Sequence, residues 1–255
     1  MTFAWLVTPY FFERRDPDLR RAVPVSASFR ENDPGSVRSR APQQLARLHR
    51  PIAAFTAAAV GRGEIPVSIA GDCCASLPVM AGLQRAGLAP LLVWLDAHGD
   101  FNTAETSPSG FLGGMPLAMM VGRGDQAFAR GCGLAPVAEA DVWLVGARDL
   151  DPRERVALEG SGVNRLQIGD LAGLRCARPV HLHIDNDVVD GREVPANNYP
   201  VPHGLSLAET IAACAGFVRA NDIRAVSFSG WNGARDRDGR TAAAGAALLA
   251  ALAAE

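Results

Sequence analysis

The chain has 255 residues, a formal net charge of −2, and 48% hydrophobic against 20% charged residues. This balance is typical of a folded globular chain and excludes extensive disorder. All 25 basic residues are arginine, which excludes a catalytic lysine, and the near-neutral charge offers no broad basic field for nucleic acid or an anionic membrane.

The ends and the cysteines bear on the cellular compartment. The chain contains no run of about 18 apolar residues, so the sequence predicts no transmembrane helix. The N-terminal segment lacks a basic region and turns polar by Glu13, so it predicts a first strand rather than a signal peptide. The five cysteines are irregularly spaced and odd in number, which favours a reducing cytoplasm over a disulfide framework.

Apolar runs of strand length alternate with helical patterns along the chain. The predicted strands are Phe3–Val7, Ile65–Ala70, Leu91–Leu95, Val142–Val145, Val180–Ile184 and Ile223–Ser229. The predicted helices cover about 41–61, 76–86, 114–122, 152–160, 206–219 and 238–254. Several strands are apolar on both faces, as buried parallel strands are. The pattern therefore predicts an α/β fold, a three-layer α/β/α sandwich with a mainly parallel sheet, as one domain over residues 1–255.

In such a fold the functional groups follow the carboxyl ends of the strands. Metal-capable side chains follow three of the predicted strands. They occur in Gly71-Asp72-Cys73, in Asp96-Ala97-His98-Gly99-Asp100 and in Asp185-Asn186-Asp187. Side chains at i and i+2 of an extended chain point the same way, so we expect those of each acidic motif to converge.

Four aspartates gathered at one sheet edge would repel one another strongly. Two divalent cations would balance the four charges, and a metal pair activates a water molecule held between the two ions. Each motif alone is also compatible with an ordinary acidic loop. Their joint occurrence after buried strands favours the metal pair.

On these motifs the sequence resembles the ureohydrolases, the family of arginase, agmatinase and formiminoglutamase, over about two-thirds of the chain. The resemblance implies an arginase-like fold, a dinuclear manganese site and hydrolysis of a small amino-acid-like substrate. It also implies a homo-oligomer, as a trimer or hexamer. By position, Asp96 and Asp185 would bridge both ions, Cys73 and Asp100 would complete one ligand shell, and His98 and Asp187 would complete the other.

The resemblance extends to residues that bind an amino-acid substrate. By position, Asn102 and Ser109 would hold the substrate carboxylate, and Asp151 and Glu154 would face its α-amino group. The pair Asp151-Pro152 also predicts a helix start, with an acidic cap followed by proline in the first turn. The two roles are compatible.

Three positions depart from the family pattern. Cys73 replaces a histidine, which adds a negative charge and favours softer Zn²⁺, Co²⁺ or Fe²⁺ beside Mn²⁺. This cysteine is similar to that of the family's hydroxyarginine-hydrolysing branch. Gly113 replaces a histidine that transfers a proton, a task that Asp100 would take over. Gly230 replaces a glutamate that anchors a guanidinium, so Asp236 or Asp238 would have to swing in, or the substrate end is not cationic.

The sequence therefore predicts a metallohydrolase that cleaves a C–N bond of an amidino or hydroxyguanidino amino acid. The specific hypothesis is Nω-hydroxy-L-arginine, cleaved to L-ornithine and hydroxyurea. The alternatives are an enzyme for another amidine, formimino or ureido substrate, or a catalytically impaired regulatory relative. His181 and His183 share the strand face of Asp185, where they would either orient metal carboxylates or be satisfied by other neighbours.

Overall fold

A parallel sheet organises the chain, whose computed structural model describes residues 2–32, 34–35 and 39–254. The strands are β1 (Phe3–Thr8), β2 (Tyr10–Phe11), β3 (Arg14–Arg15), β4 (Phe29–Glu31), β5 (Ile65–Ala70), β6 (Leu91–Leu95), β7 (Val142–Val145), β8 (Asn164–Leu166), β9 (Val180–Asp185) and β10 (Ile223–Ser229). Eight of them form a sheet in the order β4-β1-β5-β10-β9-β6-β7-β8, while β2 and β3 form a short hairpin. All neighbours in the large sheet are parallel, which confirms that prediction.

Helices cover both faces of the sheet. They are α1 (Pro42–Gly61), α2 (Ser76–Arg85), α3 (Pro116–Met120), α4 (Ala127–Cys132), α5 (Pro152–Glu159), α6 (Leu207–Ala220) and α7 (Arg240–Ala253). Strand β6 shows the division, since Leu92 and Trp94 pack with α1, α2 and α4, whereas Val93 and Leu95 pack with α6 and α7. Successive strand residues point to opposite faces, so both faces of β6 are buried. The fold is therefore the predicted three-layer α/β/α sandwich.

The strand order creates a cleft at one edge of the sheet. Strands β5 and β6 follow one another in the chain, yet β10 and β9 lie between them. A chain that reverses its strand order in this way leaves a crevice beyond the carboxyl ends of the strands. The three metal-capable motifs follow β5, β6 and β9 directly, so all of them open into this crevice.

Capping fixes the starts of two helices near that edge. At α5, Asp151 and Glu154 form a reciprocal capping box with Pro152 in the first turn, which confirms the predicted helix start. At α6, Ser206 and Glu209 form a second capping box. Each box satisfies backbone N–H groups that a helix leaves without partners.

The predicted strands are all present, with β1 and β9 each one residue longer. The analysis missed the β2–β3 hairpin, the short strands β4 and β8, and helix α4. The helix predicted at 114–122 is shorter, because a 3₁₀ turn over Leu112–Gly114 precedes α3. One domain over 1–255 stays a prediction, and its end residues 1 and 255 lie outside the described chain. Within the described ranges, every helix is too short or too polar to cross a lipid bilayer.

A buried histidine in α1 gives the fold a pH dependence. His49 is fully buried against the edge of Phe128, and its ring nitrogens have no hydrogen-bond partner among the described residues. Burial lowers the pKa of His49, although the charge of Asp72 partly opposes this. Below about pH 6.5 the unfolded chain therefore binds a proton at His49 that the folded chain does not bind. The free energy of unfolding falls as a result when the pH is lowered.

We expect His49→Leu to weaken the acid sensitivity of folding. Between pH 6.5 and 5.5 the wild type should lose about 1 kcal/mol more free energy of unfolding than the variant, measured by urea titration. Thr56→Val, a buried and non-titrating change in the same helix, should keep the wild-type pH dependence. Parallel pH curves for wild type and His49→Leu would contradict a neutral His49.

Candidate metal centre and substrate cavity

A cavity of about 330 Å³ lies at the carboxyl ends of β5, β6, β9 and β10. It brings together every site residue that the sequence predicts. Those lining residues are Cys73, Asp96, His98, Asp100, Asn102, Ser109, Asp151, Glu154, Asp185 and Asp187. The volume is in the range of pockets that hold small ligands.

The segment after β6 bends instead of staying extended. Asp100 has a φ of 50°, so the expected alternation of side chains through this motif is wrong. Convergence comes from the bend, which places His98 Nδ1 3.0 Å from Asp187 Oδ2 and 3.4 Å from Asp96 Oδ1. The left-handed backbone at a non-glycine residue is sparsely populated and is characteristic of constrained sites.

Backbone amides hold three of the carboxylates. The amide of Ala97 donates to Asp187 Oδ1 at 3.1 Å, and that of His98 donates to Asp96 Oδ1 at 2.7 Å. The amide of Asp187 donates to Asp185 Oδ1 at 2.8 Å. These bonds fix the direction of each carboxylate.

Cys73 begins a 3₁₀ turn directly after β5, where Asp72 caps the turn. Its Sγ donates to Asp185 Oδ2 at 2.9 Å and lies 3.2 Å from Ser229 Oγ. Burial raises the pKa of the Cys73 thiol well above its usual value, and the charges of Asp185 and Asp100 raise it further. Cys73 therefore needs a cation before it can serve as a thiolate ligand.

The electrostatics of the centre favour divalent cations. Burial raises the pKa of Asp96, Asp100, Asp185 and Asp187, and mutual repulsion adds to it, bringing Asp185 to about 8. Burial opposes protonation of His98, but the charge of Asp187 outweighs it and raises the pKa of His98 to about 12. Asp100 Oδ2 is buried without a hydrogen-bond partner in the described part of the chain. Metal ions would satisfy these oxygens, so the donor set fits the dinuclear centre.

Two triads of donor atoms meet at Asp96. One triad consists of Cys73, Asp96 and His183, and the other of Asp96, His98 and Asp187. Within each triad the ligand atoms lie within 4.8 Å of one another. Shared use of one carboxylate is typical of bridging between two ions.

The outer part of the cavity holds the residues predicted to bind the amino-acid end. Asn102 Nδ2 donates to Asp151 Oδ2 at 3.0 Å, while Ser109 Oγ accepts from the backbone amide of Phe111 at 3.2 Å. Glu154 accepts from the amides of Phe101 at 2.8 Å and Asp151 at 3.3 Å. Glu154 therefore also fixes the loop that carries Asn102.

Two glycines of the cavity leave no room for a side chain. At Gly113 an added Cβ would overlap the Phe111 ring, and at Gly230 it would overlap the Asp185 carboxylate. Gly230 also has a φ of +79°, which favours glycine. The space that a side chain at position 230 would need is thus occupied by the Asp185 carboxylate.

The two acids considered as substitutes for a guanidinium anchor are engaged elsewhere. Asp236 accepts hydrogen bonds from the amides of Thr241 and Ala242 at the start of α7. Asp238 pairs with Arg240. Neither lines the cavity among the described residues, so the idea that they swing in finds no support in the structure.

The sequence did not indicate Tyr199, which lines the cavity, or Arg148, which holds the loops next to it. Tyr199 lies at the mouth, 56% exposed, with its ring 5.3 Å from that of Phe111 and 6.5 Å from that of His98. Arg148 clamps the loops beneath, and its guanidinium donates to the carbonyls of Asp187, Val188, Val189, Val201 and Pro202. Only their position in loops after β9 and β7, at the carboxyl edge, could have indicated them.

The chain is similar to known proteins both in sequence and in fold. A model of the Arginase family matches residues 18–254. An arginase of Bacillus caldovelox is 30% identical over 245 residues, covering 90% of this chain and 82% of that protein. The N(omega)-hydroxy-L-arginine amidinohydrolase of Streptomyces lavendulae is 35% identical over 152 residues, covering 57% of this chain and 53% of that protein. The native structure of the B. caldovelox arginase, solved at pH 5.6, has a TM-score of 0.82 at 27% identity and covers 100% of this chain and 99% of that one.

We expect Gly230→Ala to impair metal binding, because the new Cβ displaces the Asp185 carboxylate. The Mn²⁺ affinity measured by calorimetry should fall roughly 10-fold or more, as it does when groups that orient ligands are disturbed. Gly87→Ala is the matched control, since Gly87 has the same φ of +79° but no atom within 4 Å of its added Cβ. It should lose about 1 kcal/mol of stability and keep its affinity. Equal affinities in both variants would contradict the steric argument.

Proposed function

This chain belongs to the arginase family of hydrolases, and on that premise we propose that it cleaves Nω-hydroxy-L-arginine to L-ornithine and hydroxyurea. The observation that carries the proposal is the packing of Gly230 against Asp185, which leaves no side chain at position 230 to pair with a guanidinium. A buried guanidinium without such a partner loses its hydration uncompensated. A hydroxyguanidine is only weakly basic, so the missing anchor costs it less.

The proposal includes two divalent ions, with Mn²⁺ as the first choice and Zn²⁺, Co²⁺ or Fe²⁺ as alternatives because of Cys73. Bound ions would supply Lewis acidity and a water activated near neutral pH for attack on the amidino carbon. The residues that would hold them are Cys73, Asp96, His98, Asp100, Asp185 and Asp187.

The amino-acid end of the substrate would lie in the outer part of the cavity. Asn102 and Ser109 would donate to its carboxylate, and Asp151 and Glu154 would face its ammonium group. The bond between Asn102 and Asp151 holds both side chains in place before substrate arrives. Such preorganisation keeps the scissile carbon at a fixed depth relative to the metal carboxylates.

Asp100 is proposed to carry the proton that the reaction moves. Water adds its oxygen to the amidino carbon, the bond from that carbon to the side-chain nitrogen breaks, and this nitrogen leaves as the amine of ornithine. The amine needs a proton, and Gly113 has no side chain to deliver one. The buried Oδ2 of Asp100, which has no partner among the described residues, would hold the proton from the water and pass it on.

A cytoplasmic location, predicted from the cysteine pattern, remains a prediction, as does the trimer or hexamer that the family resemblance implies. They do not enter the chemistry above. The contacts of a single chain already bring the ten proposed site residues to one cavity.

The proposal is tested by ornithine release from Nω-hydroxy-L-arginine and from L-arginine, measured side by side with Mn²⁺-loaded protein. We expect kcat/KM to favour hydroxyarginine by roughly 10-fold or more, about 1.4 kcal/mol of transition-state binding. Asp151→Asn should raise KM for hydroxyarginine about 10-fold by weakening the ammonium contact. Asp170→Asn, an exposed acid outside the cavity, should leave the kinetics unchanged.

Other outcomes select the alternatives. A preference for arginine would contradict the role given to Gly230. No turnover of either substrate with two ions bound would point to an amidine, formimino or ureido compound without a guanidine group. Fewer than one bound ion per chain after reconstitution would favour a catalytically impaired regulatory relative.

We expect Cys73→His to shift the pH–rate profile to lower pH. Replacing a thiolate by a neutral imidazole removes one negative charge from the centre, so water is activated at lower pH. The variant should also favour Mn²⁺ over Zn²⁺ more than the wild type does. Cys74→Ala, which changes the adjacent buried thiol, should keep the wild-type profile. An unchanged profile and metal preference in Cys73→His would show that Cys73 does not tune the centre.

A further inference from the structure

His183 on β9 has a ring nitrogen without a partner. The side chain is fully buried, and Nδ1 lies 2.9 Å from Ser227 Oγ. The opposite nitrogen, Nε2, has no hydrogen-bond partner among the described residues. A buried polar nitrogen left unpaired is unfavourable, so the arrangement calls for a partner.

The surroundings of His183 fix its orientation. Its ring lies against that of Trp94, with centroids 3.8 Å apart, and Trp94 Nε1 donates to Asp96 Oδ2 at 3.2 Å. Trp94 thus holds both the histidine and a metal carboxylate. Ser227 lies between His183 and His181, bonded to a ring nitrogen of each.

The free nitrogen lies beside the metal centre. A ring nitrogen of His183, Cys73 Sγ and an Asp96 oxygen all lie within 4.8 Å of one another. Ligand bonds of about 2.0–2.3 Å around one ion place donor atoms at such separations. Since Nδ1 is engaged by Ser227, Nε2 is the nitrogen available to an ion.

We propose that His183 is a metal ligand, which together with Cys73 and Asp96 forms one of the two ion sites. The imidazole that is absent at position 73 is thereby supplied from β9. The inference rests on the metal centre of the proposed function but not on its substrate. Ser227, which engages Nδ1, is the positioning residue for this ligand.

The two ion sites then differ in chemistry. The site of Cys73, Asp96 and His183 combines sulfur, oxygen and nitrogen donors, a set that Zn²⁺ and Co²⁺ favour. The site that holds His98 and Asp187 offers oxygen and nitrogen donors without sulfur, which suits Mn²⁺.

The test compares His183→Ala with His181→Ala by competitive Zn²⁺ titration, metal content and the visible spectrum of the Co²⁺-loaded protein. His181 is the matched control, because it is equally buried on the same strand and bonds the same Ser227. We expect His183→Ala to lose roughly 1000-fold or more in Zn²⁺ affinity at one site, beyond the roughly 10–100-fold typical of a disturbed orienting group. His181→Ala should stay within about 10-fold.

A double variant that restores an imidazole at position 73 gives the most specific test of the proposal. If His183 supplies the missing imidazole, the double variant Cys73→His/His183→Ala should bind the second ion again, with a Co²⁺ spectrum lacking the sulfur band. Unchanged Zn²⁺ affinity and Co²⁺ spectrum in His183→Ala would overturn the proposal. So would equal losses in His183→Ala and His181→Ala.

A measurement on the wild-type protein tests the proposal even if the variants do not fold. In cadmium-loaded protein with isotope-labelled histidine, NMR should show scalar coupling between the metal nucleus and a ring nitrogen of His183. Coupling to His98 but not to His183 would overturn the proposal. These readouts need no turnover, so a wrong substrate would leave them intact, whereas loss of all metal binding would remove the proposed function as well.

Discussion

Repulsion among four buried aspartates is the constraint on which the rest of the site depends. Asp96, Asp100, Asp185 and Asp187 meet at the carboxyl edge of the four central strands, each 1–5% exposed. Water cannot screen charges at such burial, so cations or protons must compensate them. Backbone amides from the same turns direct three of these carboxylates inward before any ion binds. The fold thus builds a concentrated negative charge and keeps it ordered.

The framework around this charge is held mainly by uncharged contacts. Arg148 donates its hydrogen bonds to backbone carbonyls of the loops below, so the described contacts of its guanidinium brace the site and leave the carboxylates to the ions. Trp94 and Ser227 hold His183 through ring packing and a hydroxyl. Glu154 fastens the loop after β6 to the start of α5. The contacts of Trp94, Ser227 and Glu154 set direction without adding positive charge that would compete with a metal.

The central strands and the acidic motifs could be predicted because their signals are local. A continuous apolar run such as that of β6 indicates burial, and a carboxylate directly after it indicates the sheet edge. The edge strands β4 and β8 gave no such signal, since they are three residues long, partly exposed, and set by pairing with β1 and β7. The bend at Asp100 was missed because alternation assumes extended backbone. The orientation of His183 depends on Trp94 and Ser227 from other strands, which no local pattern reports.

The contact between Gly230 and Asp185 bears on how substrate preference can evolve in this chain. Residue 230 is closed to every side chain, because its first carbon would displace an aspartate of the metal centre. A glutamate could not be accommodated at this position by a single substitution unless the backbone moved first. New recognition of a cationic substrate would instead have to arise on the rim, where Tyr199 is exposed. The backbone path at one glycine therefore restricts where a new contact with the substrate can arise.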